Sequence, residues 1–266
     1  MNFSNISYLA GSTNKNLLYI WFYISSFISN LVFSFIDVFK IIFIQRTIYY
    51  ENILENLRKI IWTCLPIATL TVSASAMVYS IHIAPEFSKR GLSVYLGGIV
   101  ALALIREGVP VMGTLAIVTQ FCSGMTAQIG SMKITEQLDA MKILKVSPQA
   151  YLLVPGLIAS VIGFPVVIVI CILTGLVINF FTTNLLINIS YNLYLNSILN
   201  AIQTKDLFLA ILKAAVFGFF VSLISYNCGV LTRGGSKGVG NSTRLSVVIN
   251  FATVVILDYI ITALWL

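Results

Sequence analysis

The stretch "IIWTCLPIATLTVSASAMVYSIHIA", residues 60–84, decides the fold class because it carries no Asp, Glu, Lys or Arg in 25 residues. A helix needs about 20 apolar residues to cross the roughly 30 Å of bilayer hydrocarbon. Four more apolar stretches follow, at residues 92–127, 149–181, 207–231 and 244–266. The sequence therefore predicts an all-α integral membrane protein with about five transmembrane helices.

The overall composition indicates the same class. The 266 residues are 58% hydrophobic and only 9% charged, whereas a soluble domain carries about 25% charged residues. We predict one membrane domain over residues 60–266, preceded by a separate region over residues 1–59. The net charge of +7 comes mostly from Lys and Arg in the segments between spans, which indicates topology rather than binding to nucleic acid.

The basic residues also predict the orientation. With the N-terminus inside and five spans, eleven Lys and Arg residues fall on the inner side, three on the outer side and two within spans. The positive-inside rule therefore favours an inner N-terminus and an outer C-terminus. The inner side is expected to be the cytoplasm of a bacterial inner membrane, or the equivalent side of a plastid inner envelope membrane.

Residues 1–59 are predicted to form an N-terminal tail and an interfacial helix. Residues 17–44 are rich in Phe, Tyr and Trp, which suits the headgroup zone of a bilayer. The same stretch is long enough to span the membrane, in which case the tail would move to the outer side. Residues 45–59 are predicted to be a water-exposed amphipathic piece.

The second apolar stretch is too long for a straight crossing. Its 36 residues would reach roughly 54 Å as an α-helix. Gly108, Pro110 and Gly113 predict a kink within it. Residues 182–206 are predicted to form an outer loop.

Four charged residues lie within the predicted spans: Arg106, Glu107, Lys213 and Asp258. A charge at membrane depth costs about 3 kcal/mol or more, so such residues are usually paired or functional. Charge balance predicts that Arg106 pairs with Asp258 and that Glu107 pairs with Lys213. The alternative is that these side chains snorkel to the headgroups.

Cysteine and histidine indicate no metal site and no catalytic centre. The four cysteines stand singly within the apolar stretches, and His82 is the only histidine. Isolated cysteines of this kind are typical of small buried apolar residues. We therefore predict that the chain is not an enzyme and binds no metal.

The segment "RGGSKGVGNSTR", residues 233–244, is glycine-rich and basic. It is not a Walker A motif, because Lys237 is followed by glycine where that motif has Ser or Thr. The pattern predicts a tight turn at the inner leaflet, with Asn241 or Ser242 capping the fifth span. The glycines assigned to this inner turn are Gly234, Gly235, Gly238 and Gly240.

The segment "GSMKITEQLDAMKIL", residues 130–144, interrupts the apolar pattern with charged side chains. Ile134, Leu138, Met141 and Leu144 or Lys145 fall at helical spacing and predict an apolar stripe. Asp139 and Lys142 are three residues apart and are expected to pair. Ser147 and Pro148 then supply an N-cap and a first-turn proline for the third span. The segment is therefore predicted to be a short helix on the inner side.

The same segment carries a family resemblance. The chain has "AQIGSMKITEQLDA" at residues 127–140, where MlaE-type permeases have approximately "AEIGTMKVTEQIDA". The resemblance extends to "REGVP" at 106–110, "SPQAYLLVPGLIA" at 147–159, "GGSKGVGNST" at 234–243 and "LDYIITAL" at 257–264. These permeases are the membrane subunits of ABC systems that move lipids with MCE-domain partners, and a chloroplast lipid-transport permease is among them. The resemblance covers roughly residues 60–266.

The resemblance implies a function and a set of partners. The chain would be a permease homodimer for phospholipid or a related lipid, with two cytoplasmic ABC ATPase copies and an MCE-domain lipid-binding protein outside. It would bind no cofactor itself, since the partner ATPase uses the ATP. The lipid cavity would lie between the two copies, lined mainly by spans one, two and five. The residues expected at the ATPase contact on the coupling helix are Lys133, Glu136, Gln137 and Asp139.

The resemblance also implies roles for the intramembrane charges and marks four departures. Arg106, Glu107, Lys213 and Asp258 match polar positions of the family, with gating, headgroup contact and helix pairing as open roles. Gln120 replaces the usual arginine, Gln128 the usual glutamate, Gly108 a leucine and Gly156 an arginine. Because both charges at 120 and 128 are absent together, a family ion pair is inferred to have become a neutral pair.

Two other functions are considered from the residues. One is an ion-coupled secondary transporter or channel that uses the intramembrane charges, but the sequence shows no internal repeat of the kind such transporters carry. The other is a membrane anchor without transport, which would not need charges within its spans.

Overall fold

In the part of the chain that the structure describes, five helices are long and apolar enough to cross a membrane, as predicted. The structure, a computed structural model, describes residues 25, 27, 29–41 and 49–265. The five spans occupy Tyr50–Lys89, Ser93–Ile134, Gln149–Ile187, Thr204–Val230 and Gly235–Trp265. They share one apolar core, and we call the end that holds residues 135–148 and 231–234 the inner end.

The chain is helical through almost all of its described length. A helical segment over residues 29–41 is called α1. The helices that follow are α2 (Tyr50–Lys89), α3 (Ser93–Ala103), α4 (Val109–Ile134), α5 (Gln137–Ile143), α6 (Val154–Ile187), α7 (Tyr191–Ala201), α8 (Thr204–Val230) and α9 (Gly235–Trp265). Two π-helical turns, Leu104–Gly108 and Gln149–Leu153, precede α4 and α6.

The N-terminal region differs in part from the prediction. Residues 50–59 belong to α2, which runs unbroken to Lys89, so this stretch is the start of the first span's helix and not a separate amphipathic piece. The proposed boundary between residues 59 and 60 falls inside that helix. The predicted interfacial helix over residues 17–44 lies partly outside the described residues, and its position relative to a membrane stays a prediction.

The described part of α1 packs on the inner half of α8. Val38 and Ile41 are buried in an apolar cluster with Leu138 of α5 and Leu223 of α8. The Ser34 hydroxyl donates to Asn227 Oδ1 at 3.0 Å. The other face of α1 is exposed, as Phe33 and Ile36 show.

The second span is interrupted where the sequence predicts a kink. The π-helical turn Leu104–Gly108 separates α3 from α4, and Pro110 stands in the first turn of α4. Gly113 has a different role, because it lies in regular helix and a Cβ there would come 2.7 Å from Ile168 Cδ1. Gly108 and Pro110 thus mark the interruption, while Gly113 permits close packing of α4 on α6.

The predicted outer loop over residues 182–206 is mostly helical. The third span's helix continues to Ile187 and ends at Asn188, whose φ of 51° turns the chain. The short helix α7 then packs on α3, with Tyr194 buried among Leu96 and Ala101. The Tyr194 hydroxyl donates to Asn179 Oδ1 at 2.6 Å, and the Asn179 amide donates to Ser80 Oγ at 2.6 Å. Burial raises the pKa of the Tyr194 phenol.

Helices α6 and α8 approach each other through a glycine. A Cβ at Gly218 would come 2.5 Å from the carbonyl oxygen of Ser160. The Ser160 hydroxyl donates to the Gly218 carbonyl at 2.9 Å. Small residues allow this backbone approach, which helices within a bilayer use in place of a hydrophobic driving force.

We predict that Gly218→Ala destabilises the bundle by about 1–3 kcal/mol, the usual cost of overpacking. The contact at Ser160 is to backbone, which has little room to shift. Gly240→Ala is the matched control, since its Cβ would meet nothing within 4 Å and helix propensity favours alanine by up to about 1 kcal/mol. Thermal unfolding of the detergent-purified variants measures both, and equal midpoints would contradict the prediction.

Candidate functional site

The π-helical turn before α4 brings Lys213 to the backbone of the second span. Pro110 has no N–H, so the carbonyl of Arg106, four residues earlier, loses its ordinary α-helical donor. The Lys213 ammonium donates to that carbonyl at 3.0 Å. A lysine side chain of α8 thus completes the hydrogen bonding of another helix.

Lys213 is also paired with two carboxylates. Its Nζ donates to Glu107 Oε2 at 2.8 Å and forms an ion pair with Asp258 Oδ1 at 2.7 Å. The side chain is 0% exposed. The Lys213 ammonium thus donates two hydrogen bonds, to Glu107 and to the Arg106 carbonyl, and meets Asp258 as an ion pair. The predicted Glu107–Lys213 pair is confirmed, and Lys213 proves to be the group that joins α4, α8 and α9.

Arg106 has a different partner from the one predicted. Its Nε donates to Asp206 Oδ1 at 2.7 Å, while Asp258 is taken by Lys213. The predicted Arg106–Asp258 pair is therefore wrong. The sequence predicts a loop at residue 206, but Asp206 lies in the first turn of α8, where its other carboxylate oxygen accepts the Gln203 N–H at 2.9 Å.

The charged site is buried at its centre and reaches the protein surface at its edge. The Arg106 and Glu107 side chains are 46% and 43% exposed, whereas Asp206 and Lys213 are almost fully buried. Glu107 Oε1 also accepts a hydrogen bond from the Thr262 hydroxyl at 3.0 Å. The Arg106 and Glu107 side chains are thus partly exposed on the outer half of the bundle. Each is paired with a buried residue of opposite charge.

The predicted coupling segment is shorter than its sequence suggested. α4 runs on to Ile134, and α5 begins at Gln137 after a turn in which Glu136 has a φ of 60°. Lys133 therefore belongs to α4. Of the predicted stripe, Leu138 is buried, but Leu144 is exposed, because α5 ends at Ile143.

The Lys133–Asp139 ion pair holds α5 against the end of α4. Asp139 pairs with Lys142 at 2.9 Å, as predicted, and also with Lys133 at 3.0 Å. These two pairs hold the pKa of the Asp139 carboxyl below its usual range. The Ser147 hydroxyl accepts the Ala150 N–H at 3.2 Å, which confirms the predicted N-cap of the third span. Glu136 and Gln137 remain exposed at the inner end.

The predicted glycine turn at the inner leaflet is only partly a turn. Gly234 and Gly235 have φ values of 89° and 69°. α9 begins at Gly235, so Gly238 and Gly240 are helical and Asn241 and Ser242 lie inside the helix instead of capping it. Gly238 is required for a close approach, since a Cβ there would collide with the Arg233 carbonyl.

Three of the four departures from the family pattern line one cavity. It has a volume of about 390 Å³ and opens between α2 and α4, with Gln120, Gln128 and Gly156 among its walls. Gln120 and Gln128 are eight residues apart and thus roughly 12 Å apart along the helix. The two glutamines form no hydrogen bond with each other within the described residues, and both line the cavity instead. Gly108, the fourth departure, closes the π-helical turn.

Comparison with known proteins identifies the class. The Permease MlaE family matches residues 53–264. The chain is 32% identical over 220 residues to the protein TRIGALACTOSYLDIACYLGLYCEROL 1, chloroplastic, of Arabidopsis thaliana, covering 83% of this chain and 63% of that protein. It is 33% identical over 223 residues to a probable ABC transporter permease of Synechocystis, covering 84% of each. A probable ABC transporter permease of Rickettsia typhi is 31% identical over 233 residues, 88% of this chain and 89% of that protein.

Within the described residues, five helices long and apolar enough to cross a membrane surround a buried charged site, which is the architecture of a polytopic helical membrane protein. The chain belongs to the MlaE permease family of ABC transporters. The family resemblance carried by residues 127–140 is thereby confirmed, and membership speaks against an ion-coupled secondary carrier. The match begins at residue 53, inside α2.

We predict that Lys213→Met destabilises the bundle by about 3–5 kcal/mol, the usual cost of removing one partner of a buried ion pair. Methionine keeps the length of the side chain but leaves Glu107 and Asp258 uncompensated. Adding Glu107→Gln and Asp258→Asn to the same chain removes those charges, and we expect at least half of the lost stability to return. Thermal unfolding of the three proteins measures this. A triple variant no more stable than Lys213→Met would contradict the pairing.

Proposed function

We propose that this chain is the membrane permease of a lipid-moving ABC transporter, driven by a separate cytoplasmic ATPase. Its family membership is the observation that carries the proposal. The Arabidopsis relative bears a name that refers to a galactolipid, and the Synechocystis relative is named as a probable ABC permease. The chain itself catalyses no covalent step in this proposal.

The proposed ATPase contact is the inner turn formed by Glu136, Gln137 and α5. Glu136 and Gln137 are exposed, whereas Asp139 is engaged by Lys133 and Lys142. In this assignment the first two residues meet the ATPase, and Asp139 with Lys133 fixes α5 to the end of α4. The exposed Ile143 and Leu144 extend the contact with an apolar edge.

The proposed mechanism transmits a push along α4. ATP-driven closure of the ATPase dimer would displace α5, and the Lys133–Asp139 pair would pass the displacement to α4. The π-helical turn and the charged site lie at the other end of α4. Movement there would open or close the cavity between two permease copies, with Arg106 and Glu107 in reach of a lipid headgroup.

The remaining partners follow from the same proposal. A homodimer would form the lipid cavity from spans one, two and five of each copy. An MCE-domain protein would receive or deliver the lipid on the outer side. The membrane is that of a bacterium or a plastid.

We predict that Glu136→Asn with Asp139→Asn lowers the lipid-dependent ATPase rate of the reconstituted complex at least tenfold. The substitutions remove both acids, and asparagine tolerates the left-handed backbone at position 136. The control is Asn192→Ala with Asn196→Ala on exposed positions of α7, which should leave the rate unchanged. Lipid movement by the purified chain alone, without any ATPase, would refute the proposed function.

A further inference from the structure

The Lys213 ammonium is shared by two carboxyl groups of the charged site. Its nitrogen lies 2.8 Å from Glu107 Oε2 and 2.7 Å from Asp258 Oδ1, so both oxygens touch the same atom and the two carboxyl groups are close neighbours. The Lys213 side chain is 0% exposed. When both acids are ionised, one buried positive charge therefore faces two negative charges.

No other group of the site within the described residues supplies a second positive charge. Arg106 is paired with Asp206 at 2.7 Å, and these two charges cancel. Helices α3 and α6 contain no Asp, Glu, Lys or Arg, and the basic residues of α4 and α9 lie in their inner parts. With every acid ionised, the charged site would therefore carry one excess negative charge.

The other titratable side chains on the surrounding helices do not change this count. Lys205 at the start of α8 is exposed, so solvent and salt screen its charge. Glu86 of α2 pairs with Lys89 at 3.3 Å. The titratable residues that remain at this level of the bundle are tyrosines, a cysteine and one exposed histidine, none of them in an ion pair within the described residues: Tyr79, His82, Tyr95, Cys171 and Tyr259.

The position of the site makes an excess charge costly. Asp258 stands seven residues before the end of α9, and Lys213 nine residues after the start of α8, roughly 10 and 14 Å inside those helices. Charged side chains at membrane depth are stable mainly when they are paired. Asp258 Oδ1 is buried and accepts no hydrogen bond within the described residues. Of two neighbouring carboxyl groups in such surroundings, one takes up a proton, because like charges disfavour ionisation.

We infer that Glu107 and Asp258 together bind one proton at neutral pH, and that Asp258 is the protonated acid. The Asp258 side chain is 17% exposed and that of Glu107 43%, so ionisation is less costly at Glu107. The Thr262 hydroxyl donates to Glu107 Oε1 at 3.0 Å, which also favours the ionised form of Glu107. The proton makes the charged site neutral. Its binding is independent of what the chain transports, so it can be tested without ATP or lipid.

Proton binding makes the stability of the bundle depend on pH in one direction. At neutral pH the folded chain would hold a proton that the unfolded chain releases, since an ordinary carboxyl group is ionised there. Stability therefore falls as the pH rises, for as long as the site keeps its proton, and it levels off once the proton has left. Asp258→Asn carries an uncharged group of similar shape at every pH and lacks this dependence.

The test is infrared spectroscopy of the purified chain in a maltoside detergent, which has no carbonyl group of its own. A protonated carboxyl group gives a carbonyl band that carboxylates lack, and the chain has only nine Asp and Glu residues. We expect this band at neutral pH. An isotope label on the aspartate carboxyl carbons should shift it, while the same label on glutamate should not. Asp258→Asn should abolish the band, and so should Glu107→Gln, because Asp258 would then face Lys213 alone and ionise.

Asp139→Asn is the matched control, since this acid at the inner end is paired with two lysines, and the variant should keep the band. As the pH rises, the thermal midpoint of the wild type relative to Asp258→Asn should fall until the band is gone and then stay constant.

Three outcomes would overturn the inference. A wild-type chain without the band at neutral pH would show that both acids are ionised. A band that persists in Glu107→Gln would show that the two acids do not share the proton. A band that appears only after choline replaces sodium in the buffer would show that the site holds a metal cation instead.

Discussion

A fully buried ammonium group organises the outer half of this protein. Transferring the Lys213 ammonium out of water costs several kcal/mol. The two hydrogen bonds and the ion pair that offset this cost come from the second and fifth spans. This requirement draws α4, α8 and α9 to one point. The π-helical turn, the Asp258 carboxylate and the partly exposed Glu107 all supply partners to the Lys213 ammonium. Arg106 and Asp206 then close the outer edge of the same arrangement.

The number and order of the spans could be predicted from the sequence, because the length of an apolar stretch is a local property set by bilayer thickness. The ends of the helices could not be predicted in this way. α2 begins at Tyr50 and α9 at Gly235, well outside the apolar stretches, since packing at the inner end continues each helix beyond the hydrocarbon. The roles of the glycines in residues 233–244 could not be predicted for a related reason. Only Gly234 and Gly235 have a positive φ. Gly238 is needed for a close contact with the Arg233 carbonyl, which depends on the folded structure.

The candidate site was partly predictable for a similar reason. Opposite charges within spans must find each other, which identified Glu107 and Lys213. The partner of Arg106 was missed because Asp206 lies at a helix terminus that composition alone assigns to a loop. The cavity between α2 and α4 was not predictable as a unit, because its walls come from helices far apart in the chain. The sequence marks that face of α4 only through Gln120 and Gln128, which stand where the family has charged residues.

Pro110 contributes to the charged site by what it lacks. The Pro110 side chain forms no hydrogen bond. Because Pro110 also has no backbone N–H, the Arg106 carbonyl is free to accept a hydrogen bond from Lys213. Alanine scanning assumes that truncation removes an interaction. At position 110 it would add a backbone donor that competes with a lysine from another helix. The loss of function at this position would therefore come from a gain of hydrogen bonding, and the second-site changes that compensate for it should be sought on α8.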